Sequence, residues 1–211
     1  GRGEPIKDTA RVLSRYCDAL AIRTFGNEEL LEYAKWSSVP VINALTDLEH
    51  PCQALADFLT IQEEFETLQG LTLSYIGDGN NVANSLILLG SILGVNIRLA
   101  CPKGFEPNHS VVENARTLAS SNSSIEIFSD PYEAVLNSNV IYTDVWASMG
   151  QEKEQLQRLE AFSGFTLNID LLKKADSKAI VLHCLPAHRG EEITDQVFES
   201  KCSRIFDQAE N

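Results

Sequence analysis

Several things are scarce in this chain, and each scarcity removes a class of explanation. Its 211 residues contain one Met and five cysteines, at positions 17, 52, 101, 184 and 202, with no Cys-x-x-Cys pair among them. An odd, widely spaced set argues against a disulfide framework or a structural zinc site, and for free thiols in a reducing, cytoplasmic setting. Basic residues are few: 17 Lys and Arg stand against 30 Asp and Glu, for a net charge of −13. Nucleic acid and anionic membrane are poor partners for such a surface, so positive charge next to an anionic ligand would have to be local. Long apolar runs are missing too. The best one, over residues 85–95, is interrupted by Gly90 and Gly94 and is too short to span a membrane. There are no internal repeats and no low-complexity tracts. The chain begins at Gly1 rather than Met, so any targeting sequence would lie upstream.

What is present is an alternation of short β-branched runs and amphipathic stretches. Hydrophobic residues make up 44% of the chain, enough for one large domain or two smaller ones. The spacing predicts helices over 4–15, from an Asn27 cap to 36, and from Pro51 to 65 with Leu55, Phe58, Leu59 and Phe65 inward. Strands are expected at 19–22 and 39–45. After the hinge-like Gln69-Gly70 a new series begins, with strands at 71–76, 96–100, 125–128, 140–145, 179–182 and 204–206. Helices are expected between them, at 82–93, 108–120, 131–136, 153–162, 169–174 and 194–198. Strands alternating with helices through short links imply α/β architecture with doubly wound parallel sheets. Two domains are expected, residues 1–66 and 67–211.

Chemistry-bearing side chains gather where strands end. Arg23 closes one strand. His50 and Gln53 stand at the start of the helix opened by Pro51, where unpaired amides favour an oxygen-rich ligand, although His50 could equally be a simple cap. Gly77-Asp78-Gly79-Asn80-Asn81 follows a strand but lacks the third glycine of a dinucleotide turn, since Val82 occupies that place. Its asparagines suit a carboxylate, or serve the turn alone. Asp144, ahead of Trp146-Ala147-Ser148-Met149-Gly150, could bind an ammonium group or cap a loop, and Trp146 suits packing. Cys184, in His183-Cys184-Leu185-Pro186, arrives at the end of a buried strand, either as a reactive thiol or as a structural one. Arg23, His50 and Gln53 thus suit an anion with a carbonyl. Asn81, Asp144, Ser148 and Cys184 suit an amino acid, the two sets meeting in a cleft.

Together these motifs resemble the aspartate/ornithine carbamoyltransferase family, on its ornithine-using side. His50-Pro51-Cys52-Gln53, Gly77-Asp78-Gly79-Asn80-Asn81, Asp144-Val145-Trp146-Ala147-Ser148-Met149-Gly150 and His183-Cys184-Leu185-Pro186 carry the resemblance. Asp8-Thr9-Ala10-Arg11-Val12-Leu13 and Phe206-Asp207-Gln208-Ala209-Glu210-Asn211 extend it over essentially the whole chain. It implies the fold of that family, two doubly wound domains with the first incomplete here. It also implies carbamoyl transfer from carbamoyl phosphate to the δ-amine of ornithine in arginine biosynthesis, with no metal or organic cofactor, in a homotrimer. By position, Arg23 would hold phosphate and carbonyl oxygens, His50 the carbonyl oxygen and Gln53 the carbamoyl amide. Asn81 would take the ornithine carboxylate and Asp144 its α-amino group, while Ser148 and Met149 close over it. Cys184 and the Leu185 backbone would contact the reacting amine and carbamoyl group, with Cys184 an acceptor that helps remove the amine's proton.

The family's Ser-x-Arg-Thr phosphate motif has no equivalent here, and an Arg and a final helix would follow Asn211. The 211 residues alone are therefore expected to bind carbamoyl phosphate poorly. Rival readings are transfer to another amine, such as acetylornithine or putrescine, and a non-catalytic binding module. A metallohydrolase built on His183, Cys184 and His188 lacks helical ligand spacing and an acidic partner.

Overall fold

The computed structural model describes residues 3–120, 123–147 and 155–211, the side chain of Gln155 excepted. Its strands fall into two parallel sheets. The first holds β1 (Leu20–Arg23) and β2 (Val41–Leu45), joined by α2 (Asn27–Trp36) and preceded by α1 (Ile6–Leu13). The second has five strands in the order β5-β4-β3-β6-β7: β3 (Thr72–Ile76), β4 (Asn96–Ala100), β5 (Ile125–Phe128), β6 (Val140–Thr143) and β7 (Ile180–His183). Tyr75 at its centre is in register with Leu99 on one side and Tyr142 on the other. The winding reverses between β3 and β6, so their C-terminal ends diverge into a crevice.

Alternation along these strands makes two cores, one on each face. Leu73, Tyr75, Leu99, Tyr142 and Leu182 face α4 (Asn81–Leu93) and the residues Phe58 and Ile61 of α3 (Pro51–Phe65). Ile76, Ala100, Ile141 and Val181 face Phe162, Leu167, Phe198 and Ile205. Helix α3 follows the first sheet in sequence yet buries its apolar face against the second. Burial on both faces explains why these strands read as continuous apolar runs.

Three local expectations are corrected. The buried face of α3 is Ala54, Asp57, Phe58 and Ile61, whereas Leu55 and Leu59 are 60% and 45% exposed. The inward row simply lies one position earlier on the helix. The N-cap of α2 is Gly26, not Asn27, whose Oδ1 instead accepts from Thr46 Oγ1. Residues 204–206 are not a strand. A single bridge, Val181 to Ser203, ends the sheet, and α10 (Ile205–Glu210) begins at once, burying Ile205 and, three residues later, Gln208 against β7 and α3.

The remaining helices, α5 (His109–Leu118), α6 (Pro131–Ala134), α7 (Gln155–Ala161), α8 (Ile169–Leu172) and α9 (Asp195–Phe198), connect or cover the second sheet. Among the described residues, no helix is long and apolar enough to cross a membrane.

Candidate active site

Strand ends from both sheets open onto one cleft of about 1350 Å³. Arg23 enters from β1, Thr46 from just beyond β2, and His50 from the start of α3. Asn80 and Asn81 follow β3, Asp144 follows β6, and Cys184 and Leu185 follow β7. Every one of these lines the cleft.

Asp144 is the hub of the second wall. Its Oδ1 accepts from the Cys184 thiol at 3.0 Å and from the Val145 amide at 2.7 Å, and its Oδ2 accepts from Asn80 Nδ2 at 2.7 Å. Asn80 is fixed for this task because its Oδ1 caps α4, accepting from the amides of Val82 and Ala83. The neighbouring negative charge of Asp144 adds to burial in pushing the Cys184 thiol well above its ordinary range, burial being the larger cause. Cys184 is therefore a protonated thiol that donates to Asp144, which corrects the expectation of an acceptor for the amine's proton.

His50 occupies the N-cap position of α3 without any side-chain cap bond, so it is not there as a simple cap. Burial, and then the charge of Arg23, lower its pKa, which keeps the imidazole uncharged. Its placement comes from α4. Ser85 Oγ accepts from the His50 amide at 2.7 Å, Asn84 Nδ2 donates to Leu48 O at 3.0 Å, and Asn81 Nδ2 donates to Thr46 O at 2.7 Å. Positions 81, 84 and 85 share one helix face, so a single turn of α4 holds the whole 46–50 loop.

Gln53 is not among the cleft-lining residues; its Nε2 donates to Asp57 Oδ1 at 2.8 Å. Asp57 is fully buried and also accepts from Gln208 Nε2 at 2.6 Å. Burial pushes its carboxyl up to about 7, against the opposing effect of those donors and of Tyr142. Ser148 and Met149 lie outside the described residues.

Asn80, read from the sequence as suited to a carboxylate, instead caps α4 and donates to Asp144, and sequence reasoning did not single out Asn84, Ser85 or the buried pair of Asp78 and Arg158. Arg158 donates to Asp78 Oδ2 and to Trp146 O, both at 2.7 Å, and lies 4.9 Å from the Phe105 ring centre. Trp146 is buried and stacks on Phe162. The only advance signal for the pair was an acidic residue in a glycine turn otherwise suited to anions. Ligand-type atoms of Asp144, His183 and Cys184 lie within 4.8 Å of one another, as do those of His188, Glu191 and Glu192. The trio His183, Cys184 and His188 is thus divided between two groups, each of which includes a carboxylate, so the expectation that no acidic partner is at hand is corrected.

Comparison with known proteins agrees with this geometry along the whole chain. Residues 1–63 match the model for the aspartate/ornithine carbamoyltransferase carbamoyl-P binding domain, and residues 69–211 that for the Asp/Orn binding domain. An ornithine carbamoyltransferase from Prochlorococcus marinus is 71% identical over 210 residues, covering 100% of this chain and 66% of that protein. The chain therefore spans about two thirds of that relative's length. The crystal structure of ornithine carbamoyltransferase from Gloeobacter violaceus superposes with a TM-score of 0.91 at 52% identity, over 98% of this chain and 70% of that one. Ornithine carbamoyltransferase from Pyrococcus furiosus gives 0.95 at 51% identity, over 99% and 67%. With its two parallel sheets and the strand ends that meet between them, the chain belongs to the aspartate/ornithine carbamoyltransferase family.

Proposed function

We propose that the protein transfers the carbamoyl group of carbamoyl phosphate to the δ-amine of ornithine, giving citrulline and phosphate. The observation that carries this reading is the Cys184 thiol, held 3.0 Å from the Asp144 carboxylate in a cleft that Arg23 and His50 also line. One wall offers a carboxylate and amide groups for an amino acid. The other offers a guanidinium and an uncharged imidazole for an anion with a carbonyl.

In this reading Arg23 attracts the phosphate, and His50 donates to the carbonyl oxygen as it gains negative charge. Asp144 takes the α-amino group and Asn81 the carboxylate, with Ser148 and Met149 closing over the substrate. Asn81 already spends one N–H on Thr46, so carboxylate binding uses its second. Gln53, now turned to Asp57, reaches the carbamoyl amide only by rotating. The amine lone pair attacks the carbonyl carbon and a C–N bond forms. The C–O bond to phosphate then breaks, the electron pair leaves on that oxygen, and the amine's surplus proton ends on the departing phosphate. Cys184 and the Leu185 backbone orient the amine and the carbamoyl group. With its thiol protonated, Cys184 has no role as a covalent nucleophile. Holding both reactants between two walls supplies proximity. A domain boundary at residue 66, a homotrimer, a cytoplasmic setting and a place in arginine biosynthesis belong to the same proposal.

The test is citrulline formation by the full-length protein, with ornithine, acetylornithine, putrescine and aspartate compared as acceptors. Product with ornithine alone is the expected result. Product with acetylornithine or putrescine would move the assignment to that amine, and silence with all four would leave a binding module.

A further inference from the structure

Behind the Cys184 thiol lies a pair of ionisable residues that the reaction described above does not use. His183 and Glu192 are 1% and 0% exposed, and neither lines the cleft. We infer that they are a positioning pair, which sets the backbone turn at Cys184 and Leu185 and so places the thiol and the Leu185 peptide for carbamoyl transfer; the inference rests on that reading of the site.

The geometry runs outward from β7. The strand ends at His183, whose amide is taken by Gln208 Oε1 at 2.8 Å, so the ladder stops there. The His183 ring then folds back over its own loop, and Nδ1 accepts from the Leu185 amide at 2.9 Å. That bond, from a side chain to the amide two residues on, is the turn-forming contact usually made by Asn or Asp. With Nδ1 accepting, the ring's proton lies on Nε2, which donates to Glu192 Oε1 at 3.0 Å. The same oxygen accepts from the His188 amide at 2.6 Å. Glu192 thus holds the loop from both ends: its start through the imidazole, and its finish directly.

The turn needs holding. Leu185 has φ of 59°, in the left-handed region that a leucine rarely adopts. Such a conformation persists where the surroundings over-determine it, and it concentrates at functional sites. The pair is also a poor choice if stability were the whole purpose. A buried carboxylate is penalised by desolvation, and Glu192 Oε2 has no hydrogen-bond partner among the described residues. An apolar pair would fill the same space, but it would offer no acceptor to Leu185 or to His188.

The experiment compares His183→Leu, His183→Asn and Glu192→Gln with the wild type in the full-length protein, each checked for folding by thermal unfolding. Asn can supply the acceptor for the Leu185 amide; Leu cannot. H183L should lower kcat about 100-fold, the scale of an ångström-sized misplacement. KM for ornithine should stay within about threefold, because Asp144 and Asn81 are untouched. H183N should recover about tenfold of the loss, and E192Q should lose about tenfold, through a loosened ring. Exchange of the Leu185 amide hydrogen, read by NMR, should speed up in H183L and slow again in H183N. Equal losses of kcat in folded H183L and H183N, a change confined to KM, or unaltered Leu185 exchange would each overturn the inference. If H183L does not fold, H183N and E192Q decide by the same two readouts. A wild type that makes no citrulline would defeat the proposed reaction. The exchange series would still show whether His183 holds the turn.

Discussion

At Cys184 the thiol gives its hydrogen to Asp144, and burial with that negative neighbour keeps the sulfur protonated. A group that orients without titrating should leave a particular kinetic signature. Cys184→Ala is expected to lower kcat about 100-fold, with KM for ornithine changed less than about threefold and the limbs of the pH–rate profile unmoved. A loss seen only in KM would contradict the orienting role. Asp57 behaves in the opposite way, because its carboxyl is pushed up to about 7 from an ordinary 3.8. Between those values the folded protein holds a proton that the unfolded chain has released. The contribution of Asp57 to stability is therefore fullest below about pH 4 and falls as pH rises toward 7, with a slope of up to about 1.4 kcal/mol per pH unit from this residue. Asp57→Asn cannot titrate, and its Oδ1 can still accept from Gln53 and Gln208. Urea unfolding at several pH values should show the variant gaining on the wild type as pH rises from 4.5 to 7.5, and a constant difference would remove Asp57 as the cause.

Elements place these residues through close backbone contacts, of which Gly79 is the tightest. A Cβ there would sit 2.2 Å from the backbone nitrogen of Pro107, so the turn that leads to the Asn80 cap would have to shift. Gly79→Ala should cost about 3 kcal/mol. Gly104→Ala makes a useful comparison, since its added Cβ meets nothing within 4 Å and only its φ of +91° is unfavourable. Thermal unfolding should place that variant only about 1–2 kcal/mol below wild type. If the two cost the same, steric contact at Pro107 is not what the glycine serves. The contrast also marks what a sequence reveals at this scale. The regular helices and the strands of the second sheet are legible because their apolar periods match their surroundings, as at Asn96–Ala100 and Ile125–Phe128. Arg204-Ile205-Phe206 misleads because three residues suit a strand, whereas the fold needs Ile205 and Gln208 on one side, a helical spacing. Arg23, His50, Asp144 and Cys184 were legible as cleft residues because strand ends are where ligands bind in such sheets. Gln208 meeting Asp57, or Arg158 meeting Asp78, joins residues 151 and 80 positions apart, and no local pattern encodes that.

In the whole molecule, the two walls of the cleft rest on supports of unequal strength. Arg23 and His50 belong with a two-stranded sheet, and among the described residues before 46 only Ala10, Leu20 and Leu30 are buried hydrophobics. Val12, Tyr16, Phe25, Leu31 and Ile42 in the same region are 47%, 80%, 66%, 60% and 46% exposed. Two strands with so little covered surface are marginal on their own. The other wall rests on a five-stranded sheet whose strands β3, β6 and β7 are buried on both faces, with Leu73, Tyr75, Ile97, Leu99, Ile141 and Tyr142 all at 0% exposure. Polar contacts tie the 46–50 loop to the stronger wall, through Asn81, Asn84 and Ser85, whereas α3 is held there by its apolar face, Phe58 and Ile61, together with the Asp57–Gln208 and Glu64–Arg204 contacts. Local opening should follow that division. In the 211-residue chain, amides of β1 and β2 should exchange at least about 100-fold faster than those of β3, β4 and β6. Asn81→Ala with Ser85→Ala should speed exchange of residues 46–50 while leaving the five-stranded sheet unchanged, as measured by hydrogen–deuterium exchange with mass spectrometry. A ligand that bridges both walls binds only the closed arrangement and must slow β1–β2 exchange in proportion to its saturation. Equal protection of the two sheets would mean that the first holds its shape without help from α4. Binding would then leave exchange in β1 and β2 unchanged.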